Sequence, residues 1–369
     1  MNKHRMNKEL SSFAARLREP IISGFQNEGF DALALGLFAL QFKCNSTYRK
    51  ICEARGRTPQ TIEHWTQIPF VPTAAFKELE LTSLASDERT VLFHSSGTTE
   101  QKPSRHFHSA ESLAVYEASL WKWFEKNILN SEFRIQNSEL ICLTPPPEQA
   151  PNSSLVHMFE TVRQKLGGAG VAASRAEFLG KLAVDGSWTL DFDATLAALS
   201  DNSKSKTQNP KLILGTAFSF VHLLDYLTEN NLRFQLPKNS RVMETGGYKN
   251  RSRTLPKTEL HALITERLGI PPENIICEYG MSELSSQAYA DENGTFQFPP
   301  WARVQIISPE TGREVRDGET GLIRIFDLAN VFSVAAIQTE DLGIRRGDGF
   351  ELIGRAQLAE ARGCSLMTA

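Results

Sequence analysis

The chain has 369 residues, 41% of them hydrophobic, a formal net charge of −3 and five cysteines. That is globular composition, long enough for two or three subdomains, and its near-neutral charge gives no electrostatic case for a nucleic-acid or membrane-surface partner. No apolar run approaches the roughly 20 residues that span a bilayer, and the charged start "MNKHRMNKELSSFAARLREP" lacks the apolar core of a signal peptide, so a cytoplasmic protein without membrane insertion is expected.

Residues 7 to about 57 read as helices broken at Gly29 and Asn45, and Thr58 with Pro59 reads as the start of another short helix. "TVLF" is a short strand, and the hydroxyl-rich loop "HSSGTTEQKPSRH" (94–106) follows it. Ser109 caps the next helix, whose stripe is Leu113, Tyr116, Leu120, Trp123 and Phe124. From 139 to 280 strands alternate with helices: "ELICLT" before 154–166, "KLILGTAF" before 218–230, "SRVMETGG" before 256–268, then "NIICEYG". This alternation implies a parallel sheet with covered faces, which binds ligands beyond the carboxyl ends of its strands. Those ends carry "HSSGTT", "TPPP", "GTAF", "ETGG" and "EYGMSE", a repeated convergence of glycines and hydroxyls.

From about 300 the pattern becomes β, with "WARVQIISPETGREVRDGETGLIRIFDLA" and "QTEDLGIRRGDGFELIGR" reading as strands joined by Gly-rich turns. The division expected is a helical segment 1–64, an α/β core 65–295, a β-rich part 296–355 and a short mobile tail 356–369. The cysteines (Cys44, Cys52, Cys142, Cys277, Cys364) show no CxxC, which speaks against a zinc site or a disulfide framework. Cys142 and Cys277 lie in strand-like runs and read as inert buried thiols, whereas Cys364 lies in the small-residue tail.

A glycine among serines and threonines offers close backbone approach with N–H and hydroxyl donors, as phosphate oxygens require. The P-loop pattern is absent. "GAGVAA" (168–173) fits a dinucleotide fingerprint formally, but it follows a helix rather than a strand, so its glycines read as a helix end.

"SSGTTEQKP", "EYGMSE" and "TEDLGIRRGDGFELIGR" together, in this order and spacing, resemble the three signature segments of adenylate-forming enzymes. The closer resemblance, over residues 65 to the end, is to acyl-protein synthetases of the LuxE type, carried by "IPFVP", "SSGTT…SRHF", "NSSLVHMF", "ETGGYK", "YGMSEL" and "ARGCSL". The fold this implies is α/β: the large domain of the adenylate-forming fold with mainly parallel sheets, a β-rich C-terminal subdomain and no full mobile C-terminal domain.

The resemblance implies ATP and Mg²⁺ as cofactors and a role for each matching residue. Ser95, Ser96, Gly97, Thr98 and Thr99 would hold the β- and γ-phosphates, Gly246 and Gly247 would pack on one face of adenine with Tyr279 on the other, and Ser282 would touch phosphate. Glu283 would bind Mg²⁺, Asp341 the ribose hydroxyls with Arg355 reaching the same sugar, and Cys364 would take the acyl group as a thioester. Glu100 departs from the family pattern, with Lys102 and Arg105 as neutralising neighbours; His94, His106 and His157 read as structural. An acyl pocket is placed around Phe218, Phe220, Leu223 and Leu224, with core packing as the equal alternative. The implied activity is ATP-dependent activation of a fatty acid to acyl-AMP, transfer to the protein's own cysteine, and delivery to a partner acyl reductase of the LuxC type that makes aldehyde. Two rivals stand: an acyl- or aryl-CoA ligase, and a non-catalytic adenylate-binding scaffold.

Overall fold

The computed structural model describes residues 3–26, 29–95, 102–129, 138–168, 176–184, 186–200, 209–246 and 255–356. Three helices come first: α1 (Lys3–Ser23), α2 (Phe30–Cys44) and α3 (Ser46–Ala54). Their breaks have local causes. Gly29 enters α2 at φ 87°, where a side chain would be strained, and the Asn45 side chain starts α3 by accepting from the Tyr48 N–H at 3.0 Å. The helix expected at Thr58 and Pro59 is a turn instead. The Thr61 hydroxyl takes the Thr58 N–H, and the Thr61 N–H returns to the Thr58 carbonyl, each at 2.9 Å, which closes the turn on itself.

Strand β1 (Val71–Pro72), helix α4 (Ala75–Glu78) and the hairpin β2 (Val91–His94) with β3 (Arg105–His108) lead to α5 (Ala110–Ile128). Ser109 and Ser112 cap α5 reciprocally, and α5 buries Tyr116, Leu120, Trp123 and Phe124 as its spacing predicts. Next come β4 (Glu139–Cys142), α6 (Ser154–Gly168), β5 (Ala176–Phe178), and the hairpin β6 (Gly180–Leu182) and β7 (Trp188–Leu190). The series continues with α7 (Phe192–Ser200), β8 (Lys211–Thr216), α8 (Ala217–Glu229), β9 (Arg241–Thr245), α9 (Lys257–Leu268) and β10 (Ile275–Tyr279). The strands β11 (Ala288–Ala290), β12 (Thr295–Gln297), β13 (Ala302–Ile307), β14 (Thr320–Asp327), β15 (Ala336–Arg346) and β16 (Gly349–Arg355) complete it.

One mixed sheet runs β13-β14-β15-β16-β12-β11-β10-β9-β8-β4-β5. Its β10-β9-β8-β4-β5 half is parallel, and it turns antiparallel at the β10–β11 pairing. The β-rich stretch is therefore continuous with the parallel strands rather than a separate sheet. Leu212 and Met243 belong to the larger core, under the N-terminal helices and α5, while Ile213 and Val242 belong to a second core under α8 and α9. This is the pattern of strands buried on both faces. Phe220, Leu223 and Leu224 lie in that second core at 0–1% exposure, so these three pack and line no groove; Phe218 instead lies tilted against His222, ring centroids 4.3 Å apart. Among the described residues, no helix is long and apolar enough to cross a membrane.

Candidate functional site

The carboxyl ends of β9 and β10, the neck of the β2–β3 hairpin and the β15–β16 hairpin meet at one edge of the parallel half-sheet. Residues 96–101 and 247–254 and the tail 357–369 lie outside the described residues, and with them the expected contacts Ser96, Gly97, Thr98, Thr99, Gly247 and Cys364, as well as Glu100. The other expected site residues are placed. At the hairpin neck the Ser95 N–H donates to the Ser104 carbonyl at 3.3 Å, and the Ser104 N–H donates to Ser95 Oγ at 3.0 Å. Lys102 and Arg105 do not point their charge at the neck; they pair with Glu78 at 3.0 Å and Glu80 at 3.4 Å.

Beside the neck sits Glu283, 5% exposed. Burial raises its carboxyl above the usual range, partly offset by the neighbouring Ser104 hydroxyl. Ser104 Oγ is itself buried without a well-formed hydrogen bond, as are His94 Nε2, Arg105 Nε and His106 Nδ1 on the same hairpin. A buried carboxylate with the Ser104 hydroxyl beside it, at the neck of a hydroxyl-rich loop, is the kind of oxygen ligand a hard cation takes. The residues present therefore suit Mg²⁺. His106 and His108 stack at 4.8 Å, and burial lowers His106 to about 4 and holds His108 well below the ordinary histidine range. His157 pairs with Glu117 at 3.1 Å.

The backbone of Glu283 is fixed from a distance. Asn330 Nδ2 donates to the Glu283 carbonyl at 2.7 Å, and the Ser285 hydroxyl donates to Asn330 Oδ1 at 2.7 Å. Asp327, fully buried, accepts from the N–H groups of Ser285, Ser286 and Ala329 at 2.8–2.9 Å and from the Ser286 hydroxyl at 2.8 Å. Burial still lifts Asp327 to about 6. Sequence reasoning missed both residues: "IFDLAN" looks like a strand end, and the contacts span more than forty positions.

At the other side, the Tyr279 hydroxyl donates to Asp341 Oδ2 at 2.8 Å, and Arg355 Nε stands 3.9 Å from Asp341 Oδ1 across the β15–β16 register. Asp341 also takes its backbone direction from Thr339, whose Oγ1 accepts the Asp341 N–H at 3.1 Å. Burial raises Asp341, while the Tyr279 hydroxyl and Arg355 pull it down. The Tyr279 ring is 6% exposed, edge-on to Phe350 at 5.2 Å and near Phe296 and Phe298. Its hydroxyl fixes the direction of Asp341. Gly246 leaves β9 at φ 68°, a left-handed turn natural to glycine, with open space where a Cβ would stand.

Between these two sides lies a second missed carboxylate. Glu278 is buried and accepts from the Thr245 hydroxyl across β9–β10, and burial raises it to about 7 despite that bond. A Cβ at Gly280 would stand 2.3 Å from the Glu278 carboxyl, so glycine there makes room for it.

The family model described as acyl-protein synthetase, LuxE, matches residues 23–369. Long-chain-fatty-acid–luciferin-component ligases resemble the chain at full scale. The Vibrio harveyi protein is 24% identical over 343 residues, covering 90% of this chain and 85% of its own. The Aliivibrio fischeri protein is 26% identical over 366 residues, covering 93% and 89%. Among solved structures, an open 2-hydroxyisobutyryl-CoA ligase with 2-HIB-AMP and CoA superposes with a TM-score of 0.62 at 13% identity, over 88% of this chain and 69% of that one. The same enzyme in its postadenylation state gives 0.59 at 15% identity, over 88% and 67%. These likenesses show the adenylate-forming fold.

Proposed function

The chain belongs to the LuxE family of acyl-protein synthetases, and from that membership we propose that it is a fatty-acid ligase that makes acyl-AMP from ATP. It then passes the acyl group to its own Cys364 for collection by a partner acyl reductase. The observation that carries the adenylation reading is the buried Glu283 carboxyl against the Ser104 hydroxyl, at the neck of the hydroxyl-rich loop. The fatty-acid substrate is argued from the names of the two relatives, long-chain-fatty-acid–luciferin-component ligases.

In this reading the ATP ribose hydroxyls bind Asp341, held in place by Tyr279 and Thr339. Arg355, 82% exposed, is free to swing onto the sugar. Ser95 to Thr99 wrap the triphosphate from the closed neck. Glu283 is the residue to hold Mg²⁺, which when bound would neutralise the β- and γ-phosphates and stabilise the departing pyrophosphate. The fatty-acid carboxylate attacks the α-phosphorus, the bond to the bridging oxygen breaks, and pyrophosphate leaves. Backbone and hydroxyl donors of the loop meet the charge that develops on the phosphoryl oxygens. The mixed anhydride then loses AMP to a thiolate, conserving enough reactivity in the thioester for onward transfer. A thiol is the suited acceptor because its small thiolate fraction at neutral pH is intrinsically very nucleophilic.

The test is intact-mass measurement after incubation with ATP, Mg²⁺ and a fatty-acid mixture, alongside pyrophosphate exchange. The wild type should gain one acyl group that hydroxylamine removes. Cys364→Ser should keep exchange and lose the adduct. An adduct that survives in Cys364→Ser, or maps to Cys142 or Cys277, overturns the acceptor assignment. Exchange without any adduct, accompanied by turnover of free coenzyme A, would replace the reading with a CoA ligase.

A further inference from the structure

Behind the adenine-side strand ends, on the face covered by α9, three metal-binding side chains converge that the proposed reaction does not use. Cys277 on β10 and Glu244 on β9 are register partners, and His261 projects from α9. Cys277 Sγ lies 2.7 Å from Glu244 Oε1 and 3.5 Å from His261 Nε2, and that same His261 nitrogen lies 3.5 Å from that same Glu244 oxygen. Three different elements thus aim one sulfur, one nitrogen and one oxygen at a common point.

The triangle discriminates between two chemistries. In a nucleophilic relay the acid would hold the imidazole by the nitrogen remote from the thiol. Here Cys277 and Glu244 both address Nε2, so His261 cannot accept the thiol proton at that nitrogen while donating from it to the carboxylate. Metal coordination asks for the observed convergence. A tetrahedral centre with ordinary zinc bond lengths has ligand–ligand edges of about 3.4–3.6 Å. Both edges to His261 already have that length, and only the sulfur–oxygen edge, closed by a thiol hydrogen bond, must lengthen.

We propose that Cys277, His261 and Glu244 form a binding site for a single borderline-soft divalent cation of the Zn²⁺ class. On binding, the Cys277 thiol loses its proton to solvent, and sulfur and carboxylate together cancel the charge of the ion. A neutral complex is what a buried site can hold, since Cys277 and Glu244 are 4% and 7% exposed. His261 is 19% exposed and gives the ion an entry path, with water filling the fourth position. Without metal, burial and the Glu244 charge raise the thiol, which therefore stays protonated and donates to Glu244. Lys257, at the start of α9, has its ammonium 5.0 Å from the Phe296 ring centroid and lowers the thiol somewhat; it is the competing cation. The site is illegible in sequence because its ligands lie sixteen and seventeen positions or more apart on separate elements, without a spaced motif.

The role would be mechanical. Gly246 follows Glu244 by two residues and Tyr279 follows Cys277 by two, so an ion there ties α9 to the two strands whose ends flank adenine.

Full-length protein freed of metal by a chelator should be titrated with Co²⁺ and then Zn²⁺. The expected result is a thiolate-to-cobalt charge-transfer band that saturates at one ion per chain, is displaced by Zn²⁺, and is accompanied by a higher Tm. Cys277→Ser should lose the band, while Cys364→Ser keeps it. His261→Gln, at a partly exposed helix position that tolerates change, should remain folded by circular dichroism and bind Zn²⁺ at least about tenfold more weakly. Absence of the band in the wild type overturns the proposal. So does a band that persists in Cys277→Ser, or unchanged Zn²⁺ affinity in folded His261→Gln.

Discussion

The two sides of the proposed nucleotide site are built on opposite plans. On the side proposed for the ribose, Asp341 itself is held all round: Tyr279 donates to one oxygen, Arg355 faces the other, and Thr339 accepts the backbone N–H. On the side proposed for the phosphates, the hairpin buries Ser104 Oγ, His94 Nε2, Arg105 Nε and His106 Nδ1 without well-formed hydrogen bonds, and Ser104 stands against the Glu283 carboxyl. An unpaired buried polar group costs about 1–3 kcal/mol, so such a cluster persists where something other than folding uses it. The contrast teaches a division of labour. The ribose side is preorganised and should govern how well ATP binds; the phosphate side keeps its bonding capacity in reserve and should govern the rate of the chemical step.

The most direct way to break that comparison is Glu283→Ala. With the cation's protein ligand gone, pyrophosphate exchange should fall roughly 10²–10³-fold at saturating ATP, while the protein stays folded. Exchange within threefold of wild type would take Glu283 out of the site. The comparison also requires that Asp341→Ala act chiefly on the KM for ATP; an equal collapse of kcat would erase the distinction.

Next in size is Asp327→Ala. Asp327 holds four donors between residues 285 and 329, and their loss leaves buried N–H groups unpaired. Stability should drop by about 3 kcal/mol or more by denaturant unfolding, because each orphaned donor carries its own desolvation cost. Exchange should weaken in the same variant, since the segment it anchors carries Glu283. A stable Asp327→Ala protein with normal exchange would show that Asn330 alone holds that segment.

Glu278 sits between the two sides and belongs to neither plan. Its carboxyl ordinarily titrates near 4.5, and burial raises it to about 7 in the folded protein. The folded state therefore binds the proton more tightly than the unfolded one. The stability this contributes is full below about pH 4.5 and is lost as pH rises through about 7. Glu278→Gln keeps an acceptor for the Thr245 hydroxyl without the charge. It should be more stable than wild type at pH 8, by up to about 3 kcal/mol, with little difference at pH 4. Parallel unfolding curves at both pH values would refute the assigned shift.

How much of this was legible in the sequence follows the range of the interactions. Caps and periodic stripes act within a few residues, so Asn45, Ser109 and the α5 face were readable, as were β4, β8, β9 and β10 from their runs. Glu283, Asp341 and Arg355 were reached through a resemblance of motifs, and the structure brings Asp341, Arg355 and Tyr279 together. The Thr58–Pro59 start failed because a local hydroxyl bond outcompeted the helix. Phe220, Leu223 and Leu224 could not be assigned between groove and core from sequence, because an apolar stripe looks the same in both; the fold puts them in the core. Asp327, Asn330 and Glu278 were invisible because a buried polar residue is recognised only by partners that the fold delivers from elsewhere in the chain.

The smallest expected effect is the sharpest test of preorganisation. Tyr279→Phe removes one hydroxyl and keeps the ring, so the contacts with Phe296, Phe298 and Phe350 survive. What goes is the donor to Asp341 at 2.8 Å. A hydrogen bond of this kind is worth about 1 kcal/mol net, somewhat more to a charged acceptor, which predicts a rise of about five- to tenfold in the KM for ATP with kcat nearly unchanged. The pH profile separates orientation from simple packing. Burial raises the Asp341 carboxyl and the Tyr279 hydroxyl opposes that rise, so its removal should raise Asp341 further. A carboxyl that protonates at higher pH loses its grip on the ribose sooner on acidification, so the acidic limb of ATP binding should move to higher pH in Tyr279→Phe. A tyrosine that merely fills space would leave that limb where it is, and a loss confined to kcat would transfer Tyr279 to the phosphate side of the comparison.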